Sequence, residues 1–207
     1  MYQNTDENEK GVRYMKRAAG TKALILGAVM VLLVMGYYYY LSNRNVPQPE
    51  ETVPEEEVLT PTQEVLLRNL DTNYPPSPRE VVKYFSQISQ CFYNEENTEE
   101  EIEALGFKIR ELYDDELVAN QTEENYLASL KFDIEEFKKN NRMISSYAPS
   151  SSVDVETFSQ DGYDWARLYC IYGIKQGELL YNSNMVFILR KDDQGHYKIY
   201  GWKLVEE

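Results

Sequence analysis

Apolar positions run unbroken from Ala23 to Gly36 (ALILGAVMVLLVMG), and Tyr37–Leu41 extends the run without a single charge. At about 1.5 Å per residue, residues 23–41 give roughly 28 Å of helix, close to the roughly 30 Å hydrocarbon thickness of a bilayer. The pattern predicts a membrane-spanning helix over 23–41. Ala23, Leu24 and Leu33 would lie in the acyl region, and Tyr37 and Tyr40 at the far interface, where a phenol keeps its ring in lipid and its hydroxyl among headgroups. A cleaved signal peptide is the competing reading, because Val34-x-Gly36 offers small residues at a plausible cut. No polar stretch precedes that cut, four tyrosines follow it, and the tail before it is long; these favour a retained anchor.

Beyond the anchor the pattern changes twice. Residues 42–59 contain Pro47, Pro49 and Pro54 among glutamates, with no aromatic residue, and predict an extended spacer. Helical signals follow. Thr60-Pro61-Thr62-Gln63 and Thr98-x-x-Glu101 have the form of capping boxes, and Ser77-Pro78-Arg79-Glu80 repeats the start signal. Val81, Phe85, Ile88 and Phe92 recur at helical spacing after the second start, and Ile102, Leu105, Ile109 and Leu112 after the third. A further helix is predicted from about Glu123 to Asn140, with Tyr126, Leu130, Ile134 and Phe137 on one side. After Pro149 the residues favour strands: Val153–Phe158, Trp165–Ile174, Leu179–Lys191 and Tyr197–Val205. Asp161-Gly162, Gln176-Gly177 and Asp193-Gln194-Gly195 separate them as hairpin turns. The expected fold class is α+β, with helices packed on one face of an antiparallel sheet. The organisation reads as a tail over 1–22, a transmembrane helix over 23–41, an acidic linker over 42–59 and a folded domain over 60–207.

Charge orients this arrangement. Lys16, Arg17 and Lys22 stand on the near side of the apolar run, and the first basic residue beyond it is Arg44. The positive-inside rule therefore places the N-terminus in the cytoplasm and the C-terminal domain outside, on a single-pass protein of the cell membrane. The net charge is −14. Residues 1–22 hold five basic and three acidic side chains, so the 16 basic and 32 acidic residues from Ser42 onward carry −16. Such a domain repels phosphate backbones at close range, which argues against a nucleic-acid partner.

The order of elements, the long final strands and the closing Tyr197-Lys198-Ile199-Tyr200-Gly201-Trp202-Lys203-Leu204 resemble the nuclear transport factor two-like fold over about residues 77–205. That resemblance implies a curved sheet wrapped around helices to form a cone. Tyr74-Pro75-Pro76-Ser77-Pro78-Arg79-Glu80-Val81-Val82 and Leu189-Arg190-Lys191-Asp192 also resemble uncharacterised single-pass proteins of Gram-positive bacteria, a family with no established activity to carry over.

Enzymes of the cone fold, such as ketosteroid isomerases and scytalone dehydratases, place Asp, His or Tyr inside it for acid–base work. This chain has one histidine, His196, predicted on a hairpin rim, so no His-based triad or His-based metal site is expected. The acidic runs Glu95-Glu96, Glu99–Glu101 and Asp114–Glu116 lack the spacing of a calcium loop and read as solvated helix ends. Alternation on the strand after Asp164 sets Arg167, Tyr169 and Ile171 against Ala166, Leu168, Cys170 and Tyr172. If the first set faced the cone, Arg167 with Tyr169 could hold an anionic ligand; a solvated outer Arg is the alternative. Cys91 and Cys170 are expected as buried thiols, a disulfide being permitted outside the cytoplasm. No cofactor is expected. The expected function is that of a membrane-tethered binding or scaffold module, without a catalytic site, that meets a protein partner or itself at the envelope. One alternative is a binder of small molecules or envelope fragments in the cone, which requires an open cavity lined by Tyr and a few polar groups. A further one is an acid–base enzyme there, which requires a buried carboxylate with a perturbed pKa.

Overall fold

A computed structural model describes residues 30–40 and 59–205. The chain divides into two compact units, Met1–Glu57 and Val58–Glu207. In the first, residues 30–40 form helix α1, exposed along its whole length. The rest of the expected span and nearly all of the linker lie outside the described residues. Among the described residues no helix is long and apolar enough to cross a membrane.

The second unit opens with the short helix α2 (Pro61–Leu67). The Thr60 hydroxyl accepts from the Gln63 N–H while the Gln63 side chain accepts from the Thr60 N–H, so the predicted capping box is complete. Buried Thr62 donates to Asn97 at 2.6 Å, and the Tyr84 hydroxyl donates to the Val65 carbonyl at 2.7 Å, which docks α2 on the next helix and on the loop that follows it. Helix α3 (Pro78–Asn94) starts at the Ser77 cap and buries Val81, Val82, Phe85, Ile88, Cys91 and Phe92. Helix α4 (Glu99–Arg110) begins with the second complete capping box, and its three first-turn glutamates meet the positive end of the helix dipole. A single turn, α5 (Asp115–Ala119), and α6 (Glu123–Lys139) complete the helices.

The sheet comprises β1 (Arg142–Pro149), β2 (Glu156–Gln160), β3 (Tyr163–Gln176), β4 (Leu179–Lys191) and β5 (Tyr197–Leu204), all antiparallel. Strand β3 is shared along one edge: β2 pairs with its first part and β1 with its last, while β4 takes the other edge and carries β5. Asp161 and Gly162 both adopt positive φ, 52° and 82°, as a two-residue hairpin turn with primed geometry requires.

Alternation decides the faces. Ala166, Leu168, Cys170 and Tyr172 of β3, with Phe187 and Leu189 of β4 and Ile199 of β5, are buried on the helix side. Phe187 lies opposite Leu168 on one side and Trp202 on the other, and Phe85 of α3 meets it edge-on at 5.3 Å. Register shifts at Ile144/Ser146 and Ile188/Leu189 mark bulges, which bend strands. At the first, Gly173 makes room for two serines: a Cβ there would stand 2.5 Å from the Ser146 hydroxyl and 2.9 Å from that of Ser145, and those side chains would have to turn away.

Two elements escape the sequence pattern. Strand β1 (RMISSYAP) buries only Ile144, so it shows neither alternation nor an apolar run. The five residues of α5 bury none of their side chains.

Candidate functional site

Helices α3, α4 and α6 do not close tightly over the inner face of the sheet. Only Ile134 of α6 is buried, Leu130 and Phe137 are half-buried, and Phe132 points to solvent. The space left between α6 and the sheet is a cavity of about 670 Å³. Its volume falls within the range of roughly 300–1,000 Å³ typical of small-molecule sites. Phe85, Phe92 and Ile109 form its helical wall, and Ile174, Met185 and Trp202 its sheet wall.

Four tyrosines reach it. Tyr113 sits between Trp202, with ring centres 5.4 Å apart, and Tyr126, at 6.5 Å and perpendicular. Tyr93 packs on Phe137 at 4.3 Å. The Tyr172 hydroxyl is 2.6 Å from that of Ser86, which itself donates to the Val82 carbonyl. Burial keeps these phenols neutral: it raises Tyr113 well above the ordinary value, raises Tyr93 and Tyr172, and lifts Tyr126 to about 12 against the opposing influences of Tyr113 and Arg110. The exposed residues Asn120, Gln121, Ser129 and Asp133 form a polar rim.

One cation borders the cavity. The Arg110 side chain is only 11% exposed, and its guanidinium carbon lies 5.0 Å from the centre of the Tyr126 ring. Its polar contacts are long, 3.5 Å to the Val118 carbonyl and 3.8 Å to the carboxylate of Glu123.

The sequence candidates Arg167 and Tyr169 lie elsewhere. Both are exposed on the outer face of the sheet, and Arg167 pairs with Glu156 on the neighbouring strand. Ala166, Leu168, Cys170 and Tyr172 take the inner face instead, so the solvated reading of Arg167 is the one the strand adopts. His196 follows the β4–β5 turn as expected, with its ring stacked on Tyr74 at 4.3 Å. Cys91 and Cys170 are both buried and free. Among the described residues no group of three or more His, Cys, Asp or Glu side chains could hold a metal ion.

The acidic run at 114–116 requires a correction. Asp114 is 5% exposed rather than solvated, and accepts from Arg190 through both oxygens, at 2.5 and 2.8 Å. Arg190 also reaches Glu116 at 2.7 Å, and the Tyr200 hydroxyl donates to that carboxylate at 3.0 Å. The Arg190 hydrogen bond, with that of Tyr200, holds the Glu116 carboxyl below its usual range. These carboxylates are committed to a structural clamp and are not available as bases in the cavity. The pattern along the chain carried no sign of it, because Asp114 and Arg190 are 76 residues apart. Nor did it single out Arg110, whose position after the core residue Ile109 reads as an ordinary helix flank.

Residues 14–202 match the profile of a family described as a domain of unknown function (DUF6715). No curated protein matches. Among solved structures, the chain is similar to the NMR solution structure of TraH from the Gram-positive conjugative plasmid pIP501. Identity is 14%, the likeness covers 62% of this chain and 91% of TraH, and the TM-score is 0.33, too distant to carry an argument about fold family or function.

The buried tyrosines predict an alkaline limit to stability. Burial pushes Tyr84 and Tyr126 up to about 12 in the folded protein, against about 10 when unfolded. Their contribution is therefore fully present below about pH 10 and is lost as pH rises towards about 12. Urea midpoints at about pH 8 and about pH 11 should differ, the latter being lower, with phenolate absorbance appearing on unfolding. Equal midpoints would contradict the assignment.

Proposed function

The chain belongs to the DUF6715 family, and we propose that it is a membrane-tethered, extracytoplasmic binding module that takes a small, largely apolar molecule into its cone. The observation that carries this reading is the cavity. Beside α6 about 670 Å³ is left open and walled mainly by aromatic and aliphatic groups. The aromatic and aliphatic walls of this open space present apolar surface that a bound apolar molecule would cover, which supports a ligand there. A nuclear transport factor two-like cone is the fold proposed for it. In support, α3 lies on the inner face, β1 and β2 share one edge of β3, and bulges interrupt β1 and β5.

The tether is supported by the apolar run over 23–41 and its flanking charges. The described part of that run is a helix with Leu32, Leu33 and Val34 each more than 60% exposed, an arrangement that suits lipid. The family match spans the run and the folded domain together.

A second reading, a scaffold for a protein partner, is favoured by the edge of β4. Asn184 accepts from the Val205 N–H across to β5, so the even-numbered residues of β4 turn their backbone groups to that side. Strand β5 stops there, leaving Leu180 and Asn182 facing an edge unpaired among the described residues. Residues 179–184 carry no charge, and Leu179 and Leu180 are each 70% exposed, whereas edge strands are usually protected by charge or proline.

Three measurements test these readings. Alkaline carbonate washing should leave the full chain in the membrane pellet; its release into the supernatant would overturn the tether. For the cavity, the full chain in lipid nanodiscs is titrated with uncharged 1-pyrenebutanamide in a Trp165→Phe background, where Trp202 is the remaining donor, and empty nanodiscs are the blank. Saturable energy transfer is expected, weakened about tenfold or more by Ser183→Phe, which places a ring in the cavity. Transfer that does not saturate, or that ignores Ser183→Phe, removes the ligand reading. For the edge, Leu180→Pro should abolish a crosslink formed in membranes through Asn182→Cys, and a crosslink that persists rules the edge out.

A further inference from the structure

Two arginines in this domain are equally shielded from water but very differently partnered. The Arg190 side chain is 13% exposed and meets carboxylate oxygens at 2.5, 2.7 and 2.8 Å. The Arg110 side chain is 11% exposed and has no polar partner closer than 3.5 Å among the described residues. Its nearest carboxylate, Glu123, is 72% exposed at 3.8 Å, where water weakens the attraction. A guanidinium has five N–H donors in a planar fork, and withdrawing it from water costs free energy unless an anion answers it. The Tyr126 ring face compensates only partly.

Resting on the reading of the cone as a ligand pocket, we propose that its ligand is an organic anion. An apolar, ring-bearing body would lie along the aromatic walls, and a single carboxylate or comparable acidic group would be received in bidentate fashion by Arg110. The charges along α6 give the pocket a direction. Asp133, on the rim, lies seven residues beyond Tyr126, about two helical turns or roughly 10 Å. The acidic end is drawn to Arg110 at the Tyr126 end and kept from the Asp133 end. The charge of −16 on the outer part slows an anion at long range, but salt screens that field beyond about 8–10 Å, and the Arg110 contact acts inside that distance.

The test uses three probes with one skeleton: 1-pyrenebutyrate, the uncharged 1-pyrenebutanamide and the cationic 1-pyrenebutylamine. Each is titrated against the full chain in nanodiscs in the Trp165→Phe background, with empty nanodiscs subtracted. The carboxylate should bind about tenfold or more tightly than the amide. Arg110→Gln should erase that preference by weakening carboxylate binding, and Arg110→Lys should retain part of it. Unchanged urea midpoints would show that both variants are folded. If the amide binds as well as the carboxylate, if Arg110→Gln keeps the preference, or if the amine binds most tightly, the anionic assignment falls while the ligand pocket stands. If no probe gives saturable transfer, the pocket reading itself fails.

Discussion

The inward residues of β3 and β4 form an apolar strip that must be covered, and α3 covers it. Ala166, Leu168, Phe187 and Leu189 are fully buried, as are Val81, Val82 and Ile88 on the facing helix. Phe85 joins the two layers, meeting Phe187 at 5.3 Å and Trp202 at 5.2 Å. Because side chains alternate along a strand, this one requirement assigns both faces of the sheet. It places Arg167, Tyr169 and Ile171 outside and delivers Tyr172 and Ile174 to the inside, where they border the open space. One helix cannot cover a strip as long as β3. The far end is left to α6, whose grip is weaker, and the cavity lies where the cover is incomplete.

A buried charge pair closes the opposite side. The segment before α5 bonds to the free edge of β5, with the Asp114 N–H donating to Ile199 and the Ile199 N–H donating to Leu112. Arg190 then reaches from β4 to both Asp114 oxygens, its guanidinium carbon 4.6 Å from the centre of the Tyr163 ring and 5.2 Å from that of Tyr200. Dehydrating such ions offsets much of their attraction, so the clamp contributes less to net stability than its short contacts suggest. Its effect is on register: only one alignment of the helical layer with β5 satisfies every member. An edge that would otherwise be open is thereby covered.

The legible parts of this fold were those that repeat or punctuate. Capping residues Thr60, Ser77 and Thr98 named three helix starts, and the glycines of the turns separated the long strands at nearly their observed limits. The α+β class followed from that order. Strand β1 was not legible, because it lies at an edge and its side chains are small or polar; pairing to β3, not pattern, makes it a strand. The cavity was legible only as an expectation attached to the cone, since the aromatic residues that wall it are the same types that fill a core. Arg110 and Asp114 were illegible for a different reason. Charged residues on helix flanks are normally solvated, and only the tertiary arrangement withdraws these two from water.

Helix α2 has a mechanical consequence. It is the first described element of the folded unit, so tension arriving along the chain from the N-terminal side must enter the domain through it. Its seven residues are held by one buried hydroxyl, one phenol-to-carbonyl bond and a few apolar side chains, whereas the strands behind it are held by long ladders. Under load, α2 would peel away bond by bond before any strand slipped. The domain would lengthen at its N-terminal end while its core, and the cavity within it, kept their shape: α2 would act as a fuse for the body behind it.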